Sequence, residues 1–136
     1  MDVEAALAEV ARGTPGIVSV YLFGSVAEGR DHRESDVDVG VLLDRGRYPT
    51  ADERFEVRLR LLTDFSDTVR RQADVVILND APPLLARAVI YRGRRIYCTE
   101  LELDHAFVRD TQLLAADLEP WLRRMRAIEE EALRTR

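Results

Sequence analysis

IVSVYLFGSVAEGRDHRESDVDVGVLL, residues 17–43, holds two apolar runs of different character joined by a polar loop. Ile17 to Phe23 is nearly all β-branched or aromatic and stops at Gly24, the pattern of a strand buried on both faces and placed centrally in a sheet. In the second run Val37, Val39, Val41 and Leu43 alternate with Asp36, Asp38 and Gly40, which predicts a strand over 37–43 with an apolar face and a carboxylate face. Residues i and i+2 of a strand share a face with Cα atoms about 6.5 to 7 Å apart, so Asp36 and Asp38 can converge on one cation or a pair of cations. Gly40 continues that face without a side chain and is expected to leave room for substrate beside the carboxylates. Gly24 and Ser25 sit where a strand turns into a helix, and amides at such a turn suit the terminal phosphates of a nucleotide, with the Ser25 hydroxyl as one more donor.

The flanking sequence supplies the rest of an α/β unit. Val3, Leu7 and Val10 recur at helical spacing behind Asp2, a suitable N-cap, and Gly13 and Pro15 close that segment. Thr50 with Glu53 forms a capping box, and Phe55, Leu59, Leu62, Phe65 and Val69 predict the buried face of a long helix ending near Gln72. Asp74 to Leu78 reads as a third strand. Asn79 or Asp80 then caps a helix running to Tyr91 and stopped by Gly93, and Arg95 to Cys98 reads as a short fourth strand. From Glu102 to Leu133 a helical stripe through Leu103, Phe107, Leu114, Leu118, Leu122, Met125 and Ile128 predicts a tail, broken or kinked at Pro120. Its apolar residues are expected to cover the sheet, and any exposed portion to make an interface. The expectation is one domain over 1–136, with a core about 14–98 and a helical region about 102–134.

Composition narrows the chemistry. The 136 residues carry 33% charged and 46% hydrophobic side chains and a net charge of −5, the balance of a soluble folded protein and a poor one for coating nucleic acid. All basic residues other than histidine are arginine, which excludes lysine Schiff bases and a Walker-type phosphate loop. Cys98 is the single cysteine, so neither an intrachain disulfide nor a cysteine zinc site can form. No export signal or run of ~18 to 20 apolar residues is visible, and a cytoplasmic location is expected.

Asp74 opens the third strand, where a sheet sets it beside Asp36 and Asp38. Asp36, Asp38 and a triphosphate together meet the demand of magnesium for hard oxygen donors, and Asp74 is within reach of a second metal or of the attacking hydroxyl. The reaction implied is attack on an α-phosphate with loss of pyrophosphate.

Gly24-Ser25, ten intervening residues and Asp36-Val37-Asp38 resemble the signature of the nucleotidyltransferase superfamily related to DNA polymerase beta. Ala27, Gly29-Arg30, Ser35, the stretch from Asp74 to Leu85 and Gly93 resemble its minimal, MNT-type branch. The resemblance runs from about Ile17 to Cys98. It implies a nucleotidyltransferase fold, a small mixed β-sheet flanked by helices. It also implies an antitoxin that transfers AMP from Mg-ATP, with two ions, to a tyrosine of a HEPN ribonuclease toxin, in a hetero-oligomer with that partner. On this likeness Gly24, Ser25, Arg30 and Ser35 bind nucleotide, Arg30 steadying the pyrophosphate, and Asp36, Asp38 and Asp74 are catalytic and hold the metal. Neither membrane nor direct nucleic-acid binding is expected. Two other readings stand beside it: a binding module that blocks its partner by occlusion, and a free-standing transferase acting on a small molecule such as an aminoglycoside.

Bland readings apply to the remaining residues. His32 lacks Cys or His partners at ligand spacing and His105 begins the tail, so neither reads as a metal ligand. Arg92, Arg94 and Arg95 read as a solvated cluster on a turn, and Cys98 as a small packed hydrophobe.

Overall fold

A computed structural model describes residues 1–30 and 35–135; His32 lies outside the described residues. The elements run α1 (Val3–Arg12), β1 (Ile17–Phe23), α2 (Gly24–Ala27), β2 (Val37–Leu43), α3 (Ala51–Val69), β3 (Ala73–Ile77), a 3-10 turn at Leu78–Asp80, α4 (Pro83–Arg92), β4 (Arg94–Cys98) and α5 (Leu101–Arg134). The strands form one sheet in the order β3-β2-β1-β4, with β2 and β3 parallel and the other neighbours antiparallel. β1 is central and buried along nearly its whole length, as its unbroken apolar run requires.

Helices cover both faces. On one, α1 and α3 bury Leu7, Val57, Leu61 and Phe65 against Val20, Val39, Val41 and Val75. On the other, Ala86 and Val89 of α4 pack on Val18, Tyr21 and Leu42, with Phe107 of α5 at the margin. A register shift between Ile17 and Ser19 turns both Val18 and Ser19 toward the second face. Ser19 Oγ and Tyr21 Oη donate to Asp104 Oδ1 at 2.7 and 2.8 Å, and Arg95 Nη1 lies 2.8 Å from Asp104 Oδ2. Asp104, 1% exposed, is thus the polar anchor that fixes the start of α5 on β1 and β4.

Local signals hold at the starts of α1 and α3. Asp2 accepts from Ala5 N and Thr50 from Glu53 N, each at 3.1 Å. Helix faces match expectation in part: Leu7 of α1 and Phe65 and Val69 of α3 are buried as expected, with Val3, Val10 and Leu62 packed beside them. The buried positions of α3 are Arg54, Val57, Leu61, Phe65 and Val69, while Phe55 and Leu59 are exposed. Two overlapping stripes compete at that spacing, and Arg54 turns inward because its guanidinium is fully engaged: Nε and Nη2 donate to the Asp80 carboxylate, both at 2.9 Å, and Nη1 to Tyr48 O at 2.8 Å. That pairing, with Asn79 bonding Leu43 N and O at 2.9 Å, takes both residues away from capping α4, whose N-cap is Pro82.

The tail departs further. α5 continues through Pro120 as one helix and buries Asp104, Thr111 and Ala115, leaving Leu103, Leu114, Leu118, Met125 and Ile128 exposed instead of laid on the sheet. Periodicity identified the helix but, apart from Phe107, not its inner face, which is otherwise lined by small and polar residues. Among the described residues no helix is long and apolar enough to cross a membrane.

Candidate active site

Phe23, the last residue of β1, pairs with Asp38, and Asp38 pairs with Asp74 across the β2–β3 ladder. Two strand pairings therefore set the Gly24–Ser25 turn, Asp38 and Asp74 in one row across the sheet. Alternation keeps Val37, Val39, Ala73 and Val75 in the α1/α3 core and directs Asp38 and Asp74 to the opposite face. Asp36 precedes β2 and is exposed, Asp38 is half-buried and Asp74 exposed.

Gly24 has φ +75°, and a Cβ there would overlap Asp38 Oδ2 and sit 3.0 Å from its Cγ. The glycine gives the chain its left-handed turn and leaves the space that the Asp38 carboxylate fills. Burial, and after it the charges of Asp74 and Asp36, push the Asp38 carboxyl above the usual carboxylate range. Asp74 and Asp36 are thus close enough to Asp38 to oppose its charge. Among the described residues, however, no group of three or more His, Cys, Asp or Glu side chains is arranged to hold an ion unaided. Their donor chemistry fits an ion completed by ligands the protein does not supply: magnesium is usually held by one or two carboxylates together with phosphates and water.

Gly40 does not open onto this site. A Cβ there would lie 2.7 Å from Val89 Cγ1 and 3.4 Å from Leu78 Cδ2, so its missing side chain admits α4 and not substrate. The carboxylate face of β2 is consequently open only at its first residues, and α4 roofs the remainder.

The other expected nucleotide contacts sit around this row. Ser25, half-buried, opens α2, whose N-cap residue Phe23 provides no side-chain cap. Arg30 is exposed and engaged with Glu28, its Nε 3.1 Å from Glu28 Oε2, and it holds that carboxyl below the usual range. The Ser35 carbonyl accepts from Arg71 Nε and Nη2 at 3.1 and 2.9 Å, which secures the approach to Asp36 from the end of α3.

Arg58 escaped the sequence reading, which placed Arg94 and Arg95 in a solvated cluster. Arg58 Nε donates to Val75 O at 2.7 Å and its Nη2 lies 3.7 Å from Asp74 Oδ1, so α3 sets a positive charge beside the third carboxylate. Arg94 donates to Ala27 O at 2.9 Å and pairs with Glu4, pinning the end of α2. Arg95 holds Asp104, so two of the three arginines around Gly93 are structural ties and not a solvated cluster. Each contact spans many residues or adjoining elements, and no local pattern announces it.

Residues 5–102 match the family described as Polymerase beta, Nucleotidyltransferase. Among curated proteins the chain is 32% identical over 88 residues to protein adenylyltransferase MntA of Shewanella oneidensis strain MR-1, a match spanning 63% of this chain and 58% of that protein. Among solved structures it is similar to a toxin-antitoxin crystallised with AMP-PNP, with TM-score 0.75 and 26% identity over 96% of this chain and 98% of that one. It shares the fold of a chain from a complex of tri-AMPylated S. oneidensis HEPN toxin with MNT antitoxin, with TM-score 0.68 and 21% identity over 96% and 98% of the two chains.

Proposed function

We propose a function from one premise: this chain belongs to the Polymerase beta nucleotidyltransferase family, matching it over residues 5–102. The chain binds ATP and transfers AMP to a hydroxyl, that of a tyrosine, on a HEPN-type ribonuclease toxin, and it acts in the cytoplasm as the antitoxin of that partner in a hetero-oligomer. The observation that carries this reading is the row formed by the Gly24 turn, Asp38 and Asp74, because it sets a left-handed glycine turn directly beside a carboxylate whose charge two neighbouring acids oppose. The adenylyltransferase relative and the AMP-PNP complex support it from outside the chain.

The amides opening α2 and the Ser25 hydroxyl hold the terminal phosphates, with Arg30 and Ser35 at the margin of the same bend. Asp36, Asp38 and Asp74 would hold magnesium, which when bound offsets the charge of the triphosphate. The acceptor oxygen bonds to the α-phosphorus while the bond from that phosphorus to the bridging oxygen breaks. Pyrophosphate leaves with the bonding pair, and Asp74 takes the hydroxyl proton. Positioning and electrostatics do most of the work.

Replacing Asp36 and Asp38 by Asn should reduce AMP transfer from α-labelled ATP to the toxin by roughly a hundredfold or more, with the fold kept. Intact mass of the toxin after incubation reads the product; undiminished transfer would reject the assignment. A second reading, neutralisation by occlusion, is favoured by the apolar residues that α5 leaves exposed. On that reading the double Asn variant still silences the toxin without modifying it.

A further inference from the structure

Around Gly93 and the Gly24–Ser25 bend stand Arg30, Arg92, Arg94 and Arg95, and three of the four are engaged. Arg30 pairs with Glu28, Arg94 donates to Ala27 O and pairs with Glu4, and Arg95 holds Asp104. Arg92, the last residue of α4, is exposed, and among the described residues its guanidinium takes part in no hydrogen bond or ion pair.

The course of α4 carries that charge to the bend. The helix lies on the face of the sheet opposite α1 and α3, the face to which Asp38 and Asp74 are directed. Val89 stands over Gly40, which pairs with Tyr21 of β1. One turn later Gly93 packs against the end of β1, where a Cβ would lie 2.6 Å from Leu22 O and 3.0 Å from Phe23 Cβ. Because Phe23 adjoins Gly24, α4 runs toward the bend and ends beside it. Arg94 then reaches the far end of α2 at Ala27 O. The charge of Arg92 is felt at this turn: Arg30 first, and Arg92 after it, hold the Glu28 carboxyl below the usual range.

We propose that Arg92 holds the pyrophosphate end of the nucleotide, its guanidinium donating to the β- and γ-phosphates as they leave. The assignment rests on the transferase reading above and names the residue that receives the leaving group.

The direction of the reaction selects this residue. In an in-line displacement the attacking and leaving oxygens lie on opposite sides of the phosphorus. Asp74, on β3, takes the proton of the attacking hydroxyl, and β4, which Arg92 leads into, lies on the other side of β1 and β2 from β3. Pyrophosphate therefore departs toward the end of α4. Charge points the same way. Asp36, Asp38 and Asp74 make the β2–β3 side of the bend acidic, and the charge of Arg30 is already opposed by Glu28. Bond cleavage adds negative charge to the departing phosphates, and a guanidinium offers a planar fork of donors matched to phosphate oxygens.

The test is calorimetric binding of α,β-methylene-ATP, AMP and inorganic pyrophosphate, each with magnesium, to the parent and to Arg92→Gln. An unchanged urea midpoint verifies that the variant keeps the fold, as the absence of side-chain bonds at Arg92 predicts. The Kd for the ATP analogue and for pyrophosphate should rise roughly tenfold or more, with the Kd for AMP unchanged and Arg92→Lys falling between parent and Gln variant. An unchanged affinity for the analogue overturns the assignment while leaving the transferase reading in place. An equal loss for AMP also overturns it, because the charge then acts on the site at large and not on the departing phosphates. Failure of the parent to bind the analogue removes the transferase reading and the role of Arg92 with it.

Discussion

Gly24 and Asp38 constrain each other: the glycine is held at positive φ, and the volume its Cβ would take belongs to the Asp38 carboxylate. Gly24→Ala is therefore expected to cost about 1–2 kcal/mol in backbone strain and to remove AMP transfer almost completely by displacing Asp38; parallel urea melts and transfer assays separate the two effects. Asp104 carries the opposite balance, structural and remote from the reaction. Asp104→Ala leaves the hydroxyls of Ser19 and Tyr21 without their acceptor in a buried site, and about 2–5 kcal/mol of stability should be lost. Burial, then the hydrogen bond to Asp104, raises the Tyr21 phenol well above its ordinary value. An acid raised in the folded state adds stability that is complete below its unfolded pKa and declines above it. The urea midpoint should accordingly fall as pH climbs beyond about 10, and Tyr21→Phe should flatten that decline. Asp36, Asp38, Asp74 and the Gly-Ser pair stood out in the sequence because the chemistry of a carboxylate or a glycine beside a strand end is local. Arg58, Arg54 and Asp104 did not, because a partner 16 to 85 positions away leaves no mark in the residues around it.

The bounds of β1 and β2 are legible in the sequence, and a period of two assigns the faces of β2; in β1 the irregularity between Ile17 and Ser19 breaks that period and turns Val18 and Ser19 to one face. Helix faces are harder, since neighbouring stripes at steps of three and four overlap. In α3 the stripe with Phe55 and Leu59 is as apolar as the one with Val57 and Leu61, and only the position of β3 decides between them. In α5 the buried face is chosen by Asp104, Thr111 and Ala115, where close approach to α4 and β1 favours small or hydrogen-bonding side chains over bulky ones. The segment beyond Ala115 is nearly all exposed and passes through Pro120. Proline inside a helix removes one hydrogen bond and costs about 3 kcal/mol relative to alanine. With few tertiary contacts there to absorb that cost, Pro120→Ala should slow amide exchange across residues 121–134 and raise helical ellipticity. The global unfolding free energy from urea melts, governed by the sheet and its two packed faces, should stay within about 0.5 kcal/mol. A large rise in global stability would instead mean that distal α5 unfolds together with the sheet.

On the scale of the molecule, the site exists only once the sheet does. Gly24, Asp38 and Asp74 come from three strands, and nothing but the pairing of β1 with β2 and β2 with β3 sets them together. A nucleotide held by this row binds the folded chain and not the unfolded one, so its binding free energy adds to global stability. With a non-hydrolysable ATP analogue and magnesium at a hundred times Kd, the gain is about 2.7 kcal/mol, or roughly 8 °C or more in Tm for a domain of this size. The same row is a source of repulsion when empty, because Asp74 and Asp36 oppose the charge on a partly desolvated Asp38. Asp38→Asn removes that repulsion with almost no change of shape. The variant should therefore melt above the parent in buffer alone, yet gain little from the magnesium-nucleotide mixture that raises the parent. Thermal scans of both proteins, with and without the mixture, read the two effects independently. Equal gains in parent and variant would show that Asp38 contributes nothing to holding the nucleotide, and a variant less stable than the parent would show that its carboxylate is a structural partner and not one of three opposed charges.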